Sequence, residues 1–275
     1  MIALSVMLLA TAASFTASAI TVDKSYDYDD FYGLSVSNSF DVKLVKGNSY
    51  CVEVEVSEEY ADYLNVRVEK GILYIGFDKL PLKLKNMKDV IAKAEVTAPE
   101  FRSLKLSGAS TFECKDSYTL VMHKVSVDVS GSSTVKEMHI VASKGDVEVS
   151  GTSEVNLDFE VGELDFVVSG ASKVKGNIDV ADVDVKVSGA SKVELAGKGL
   201  NADIEVSGAS SALLEDLELK AADVEASGAS KVKVDVAVKL EVDASGASSI
   251  HYKEHKMLNI NTKNIGHGSA LKKLK

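Results

Sequence analysis

The stretch Leu164-Asp165-Phe166-Val167-Val168-Ser169-Gly170-Ala171-Ser172-Lys173-Val174-Lys175 decides how the rest of the chain is read. Leu164, Phe166 and Val168 alternate with Asp165 and Val167; after Ser-Gly-Ala-Ser the alternation resumes with Val174 between two lysines. A period of two means a strand with one buried face, and a glycine among small residues marks a tight turn. The segment therefore reads strand, turn, strand.

Working outward, the same Ser-Gly pair recurs with glycine at Gly108, Gly131, Gly151, Gly170, Gly189, Gly208, Gly228 and Gly246, at spacings of 23, 20, 19, 19, 19, 20 and 18 residues. Two and four positions before each glycine the residue is apolar, as in Val149 and Val147 or Val187 and Val185. Two positions after it every copy has serine, and four positions after it an apolar residue returns, Phe112 in the first copy and Ile250 in the last. A constant period of about 20 residues is one turn of a solenoid and is too short for a propeller blade. The expected fold is all-β: a parallel β-helix (β-solenoid) in which each strand bonds to its equivalent one coil away and the turn serines stack in ladders. At about 4.8 Å per coil, eight coils extend roughly 38 Å.

Two other repeat architectures compete. Leucine-rich repeats of similar length need a Leu-x-x-Leu-x-Leu frame with an Asn or Cys ladder, which is missing. A sandwich of hairpins gives alternating strands but does not enforce one period and one turn chemistry.

Before the repeats, strands are expected at 40–45, 52–56, 65–69 and 72–77, with Lys70-Gly71 as a hairpin turn and a short helical turn at 58–64. The organisation expected is an N-terminal β region over 20–101 that caps the solenoid, and a β-helix over 102–275. Gly266-His267-Gly268-Ser269 ends it as a degenerate further turn. Residues 1–19 carry no charge, include an apolar run and end in Ala17-Ser18-Ala19, which reads as a signal peptide cleaved before Ile20. The competing reading is a buried N-terminal element, which the missing basic n-region favours. Beyond this segment no apolar run approaches the roughly 20 residues of a membrane-spanning helix.

The net charge is -10, and the 31 basic residues are all lysine apart from Arg67 and Arg102, scattered singly. Such a surface is a poor partner for nucleic acid. Cys51 shares the polar side of its strand with glutamates while Cys114 takes an apolar repeat position, which argues against their pairing.

Five positions before the glycine stand Asp146, Asp165, Asp184, Asp203 and Asp223, then Glu241. Stacked coils set them in a row about 5 Å apart. These aspartates are the candidate ligand-binding residues; the eight turn glycines are structural. The row would suit calcium, but a solvated acidic edge screened by lysines such as Lys173, Lys192 and Lys231 is the preferred reading. No metal set, cofactor or catalytic residue is assigned. His251 and His255 lie four apart but not on a recognisable helix. Tyr26, Tyr28, Phe31 and Tyr32 stand among Asp27, Asp29 and Asp30, either to stack on sugar rings or, as preferred, to fold over the end of the core.

The repeated Ser-Gly-Ala-Ser turns, preceded by Phe40-Asp41-Val42-Lys43-Leu44-Val45-Lys46-Gly47, resemble the putative auto-transporter adhesin family with the head GIN domain, a domain of unknown function found in Bacteroides-like bacteria. The resemblance implies a right-handed β-helix, a cell-envelope address and an adhesion role, and brings no catalytic residues with it. Nothing in the chain resembles a translocator barrel. The expected function is a non-enzymatic adhesion or binding module, exported to the periplasm, the outer-membrane surface or the exterior. It would present repetitive polar faces to polysaccharide, a surface protein or copies of itself. The alternative is a β-helical polysaccharide lyase or glycoside hydrolase.

Overall fold

The computed structural model describes residues 20–274 apart from Asn86, Lys88 and Asp89. The reading of 1–19 as a signal peptide lies outside the described residues. Eight shorter strands come first: β1 (Thr21–Tyr26), β2 (Gly33–Val36), β3 (Asp41–Lys46), β4 (Cys51–Ser57), β5 (Leu64–Glu69), β6 (Ile72–Phe77), β7 (Ala92–Ala98) and β8 (Ser103–Leu106). Seven long strands follow, one per coil: β9 (Thr111–Val129), β10 (Thr134–Val149), β11 (Glu154–Val168), β12 (Lys173–Val187), β13 (Lys192–Val206), β14 (Ser211–Ala226) and β15 (Lys231–Ala244). The chain ends with β16 (Ser249–Tyr252), β17 (Asn259–Ile265) and β18 (Ala270–Lys273).

From β9 to β15 each strand pairs in parallel with the next, so the repeat is a β-solenoid as the period predicts. Leu164, Phe166 and Val168 are buried to within 1% and stack on Val183, Val185 and Val187 of the following coil. The eight turn glycines all have φ between +71° and +78°. That is left-handed backbone, open to glycine at little cost. At Gly170 an added Cβ would lie 2.4 Å from Gly151 O and 2.9 Å from Gly151 N, so the turns stack too closely for any side chain. Ala171 N donates to Gly151 O at 2.7 Å, and the same bond recurs from coil to coil.

The serines two positions after each glycine are buried, at 2% exposure or less. They form a ladder of position rather than of hydroxyl-to-hydroxyl bonds. Ser110, Ser133 and Ser153 turn their hydroxyls back to the carbonyls of Ser107, Ser130 and Ser150 at 2.8–2.9 Å, closing the corner locally. A small side chain with its own hydrogen bond is what this crowded inner corner admits.

The unequal spacings have a physical home. Between β9 and β15 the register shifts fall at two bends of the coil, away from the Ser-Gly corner; only the last pairing, of β15 with β17, shifts close to a corner, between Val242 and Asp243. One bend holds the shifts between Val135 and His139, Glu194 and Ala196, and Leu214 and Glu218. The other holds those between Ala142 and Lys144 and between Leu219 and Ala221. Insertions at an exposed bend leave the stacked faces in register, so the period can vary while the core does not.

Upstream, the hairpin turn at Lys70 (φ 52°) and Gly71 (φ 76°) joins antiparallel β5 and β6, and residues Glu58–Tyr63 form a 3-10 helix. β2 and β3 lie in parallel register beneath β8 and β9, with Leu34 opposite Leu104 and Val42 opposite Phe112. Between them Asn38 and Ser39, both at φ 63°, make a corner under Gly108 in place of Ser-Gly. Antiparallel β1 and β4 then close this end. Three of the four clustered aromatics pack here, with Phe31 1% exposed, Tyr26 and Tyr28 stacked, and Tyr28 donating to Val66 O at 2.8 Å, whereas Tyr32 stays exposed and donates to Lys70 O. Cys51 is exposed and Cys114 buried, both as free thiols. Among the described residues no helix is long and apolar enough to cross a membrane.

Candidate functional site

The solenoid turns one outer face on each side of the Ser-Gly ridge. On the face before the turn, Asp146, Asp165, Asp184, Asp203 and Asp223 are direct register partners from coil to coil, followed by Glu241. Parallel pairing without a shift at these positions produces the row. Its charge is partly neutralised from within. Lys124 reaches Asp146 at 2.8 Å, Lys144 reaches Asp165 at 3.4 Å, and Lys186 reaches Asp184 at 2.7 Å. Lys263 of β17 bridges Asp223 at 2.5 Å and Glu241 at 3.1 Å. Lys239 and Lys263 together hold the Glu241 carboxyl below its ordinary range, and the two carboxylates raise Lys263 in return. Asp203, between the paired members, is exposed and makes no ion pair among the described residues.

The lysines expected to screen the row do not do so. Lys173, Lys192 and Lys231 follow the turn, in register with one another through Ser211, and so project from the other face. Lys192 pairs with Glu194, as does Lys175. The screening lysines instead lie on the same face, two positions from the aspartate on its own strand, on an adjacent coil or, for Lys263 and Asp223, two coils away. Counting residues back from the glycine would have identified them, because outward positions on one side of a turn share a face.

On the face after the turn, at its N-terminal end, the outward side chains of β1, β3, β4 and β7 line an open groove of about 670 Å³. Asp23, Asp41, Glu53, Glu55 and Glu95 face it with Lys43 and Lys93 between them, and Glu113 of β9 borders it. Lys43 pairs with Glu95 at 3.1 Å and Lys93 with Glu55 at 3.2 Å. Such a surface offers both hydrogen-bond donors and acceptors to a hydroxyl-rich or peptide ligand. Sequence reasoning missed it, since β1 and β7 carry no repeat signal.

A second missed feature lies at the bend of β15. The short 18-residue spacing there pulls Asp235 inward to 6% exposure, between Val234 and Val236. Lys253 reaches its carboxylate at 3.0 Å and His255 Nε2 at 2.5 Å, which satisfies the buried charge. His251 sits on β16, apart from this contact; burial and then Lys231 and Lys272 push its pKa down. The two histidines are thus parted rather than joined in one site. Among the described residues no cluster of three or more His, Cys, Asp or Glu is arranged to hold a metal.

Solved structures share this architecture. A putative adhesin from Parabacteroides distasonis ATCC 8503 matches with a TM-score of 0.69 at 17% identity, covering 93% of this chain and 98% of that one. A putative adhesin from Parabacteroides merdae ATCC 43184 matches with a TM-score of 0.66 at 16% identity, over 93% and 96%. A putative lipid binding protein from Parabacteroides distasonis ATCC 8503 matches with a TM-score of 0.61 at 18% identity, over 93% and 97%. At these identities the likeness is one of fold. No curated protein matches the chain. The family described as putative auto-transporter adhesin, head GIN domain, matches residues 30–255. That span runs from Asp30, just before Phe31, through all eight Ser-Gly turns to the loop after β16, and the chain belongs to this family.

Proposed function

We propose that this protein is a non-enzymatic adhesion module of the cell envelope that binds polysaccharide or a surface protein through its repeating polar faces. The observation that carries the reading is the register of Asp146, Asp165, Asp184, Asp203 and Asp223, one per coil along a single face. Equivalent groups repeated at one spacing suit a ligand that is itself repetitive, where many weak contacts sum to useful avidity. Single-centre chemistry instead needs unlike groups converging on one point. Membership in a family described as adhesins supports export to the envelope and the adhesion role. The aspartate face and the N-terminal groove are the surfaces assigned to the ligand.

The test is a glycan-array screen of residues 20–275, with each bound glycan examined by mass spectrometry. Binding with the glycan intact, weakened stepwise as Asp165, Asp184 and Asp203 are replaced by asparagine, is the expected result. Cleavage of a bound glycan would overturn the reading in favour of a lyase or hydrolase. Absence of glycan binding would leave surface proteins as the ligand class, to be tested by binding to intact cells.

A further inference from the structure

The two ends of the solenoid are built differently and charged oppositely. At the N-terminal end the antiparallel strands β1 and β4 and the 3-10 helix Glu58–Tyr63 cover the core, burying Tyr60 to 2% exposure. Asp23, Asp27, Glu58, Glu59 and Asp62 stand on this end; Lys24 of β1 and the exposed Lys83 and Lys85, which flank the Leu84 carbonyl that accepts from Tyr60, offset part of their charge and leave carboxylates in excess. At the C-terminal end, β17 and β18 are paired on one side only among the described residues. Tyr252, Leu258, Ile260 and Leu271 pack on the core there but are only partly buried. No Asp or Glu follows Glu254, whereas Lys256, Lys263, His267, Lys272 and Lys273 do.

The sheet topology relates these ends. Register partners link Asp23 of β1 through Glu55, Lys93 and Asp41 to Thr111, and then coil by coil to Ser249 and Ala270 of β18. Among the described residues β1 and β18 are therefore the two unpaired edges of one face. They run in the same direction, because β4 is antiparallel to both of its neighbours, β1 and β7. A second copy moved along the solenoid axis sets its β1 beside β18 of the first as one more parallel strand. Lys272, which faces outward in register with His251, then comes close to Asp23 and Glu53.

We propose that the protein associates head to tail with further copies of itself, the basic open C-terminal end of one copy seating on the acidic N-terminal end of the next. Charge selects this arrangement. Two C-terminal ends would oppose lysine to lysine, the usual way in which natural sheet edges resist pairing with their own kind. Two N-terminal ends would oppose carboxylates. Only the unlike ends attract, and a contact between unlike surfaces related by translation does not close, so it yields chains of copies rather than a dimer. The partly buried Ile260 and Leu271 lose their remaining solvent contact in the junction, which adds a salt-independent part to the attraction. The association goes beyond the adhesion reading and does not depend on any ligand: it lengthens the rod, and with it the number of binding faces on one particle.

Sedimentation velocity of residues 20–275, over a hundredfold range of concentration at low and high salt, tests the proposal. The expected result is a weight-average mass that rises steadily with concentration at about 20 mM salt and falls back toward one chain at about 0.5 M, where screening is shorter than 10 Å. Lys256→Glu with Lys272→Glu, and separately Asp23→Lys with Glu58→Lys, should each give monomers. Mixing these two variants should restore the chains, because each then offers an end complementary to the other. Circular dichroism melts of each variant confirm that the fold is intact. A monomer at every concentration in low salt would overturn the proposal. So would a closed dimer, or chains indifferent to both charge reversals.

Discussion

Replacing Gly170 by alanine forces a Cβ into backbone that has nowhere to go. Two costs add. An L-residue held in the left-handed region costs about 1–2 kcal/mol. The new carbon would also lie 2.4 Å from Gly151 O, 2.9 Å from Gly151 N and 3.1 Å from Gly151 C, all main-chain atoms of the coil beneath. Relieving such overpacking costs about 1–3 kcal/mol, which brings the expected loss to roughly 2–5 kcal/mol. Gly108 is the internal control. Its φ of +78° carries the same left-handed cost, but its Cβ would come no closer than 3.1 Å, to Asn38 N. Gly108→Ala should therefore cost about 1–2 kcal/mol. Urea denaturation followed by far-UV circular dichroism reads the difference, and a thermal melt should move by about 2–4 °C per kcal/mol for a chain of this size. If the two substitutions are equal to within about 0.5 kcal/mol, stacking contact between turns is not what fixes glycine in the repeat. The reasoning would then be wrong.

Ser153→Ala removes a hydroxyl that bonds Ser150 O at 2.9 Å and should cost about 0.5–1.5 kcal/mol, whereas Ser191, whose buried hydroxyl has no partner among the described residues, should tolerate alanine at almost no cost. Paired melts decide it, and equal losses would refute the assignment. Asp203→Asn relieves repulsion from two stacked neighbours without breaking an ion pair and should stabilise by about 0.2–1 kcal/mol at low salt. That gain should disappear near 0.5 M salt, and persistence at high salt would count against an electrostatic origin. A thiol-specific chromogenic reagent should titrate Cys51 in the native protein and Cys114 only after unfolding; two reactive thiols in the native state would contradict the burial. Burial pushes the Cys114 thiol from 9.0 up to about 11. The unfolded chain therefore loses this proton first as pH rises, so Cys114 should lower stability between about pH 9 and 11. Stability that falls equally in a Cys114→Ala variant would assign the loss to other groups.

Where the repeat speaks, the chain is transparent. Alternation around Gly170 reports a strand's buried face because side chains on a strand have a period of two, and Ser-Gly reports a corner because few residues accept its backbone. The aspartate row was legible for the same reason, since equal spacing in sequence becomes direct opposition in a parallel stack. Outside the repeat this legibility fades. β1, β2 and β7 went unseen because their partners are distant in sequence and their pairing is decided by what they meet. Asn38-Ser39 fills a glycine corner with no glycine to announce it. Gly176 looks no different in sequence from any other glycine, yet a Cβ there would lie 1.9 Å from Leu157 O.

Sequence alone therefore determined the all-β solenoid, its coil length, the corner chemistry and the candidate acidic face, because each is a local property repeated from coil to coil, the corner in all eight copies and the acidic position in the last six. Tertiary structure alone decided which lysines neutralise that face, the groove made by β1, β3, β4 and β7, the inward turn of Asp235 and the unlike ends of the rod. Each of these depends on which strands become neighbours, and that follows from the summed burial of the whole core rather than from any single segment.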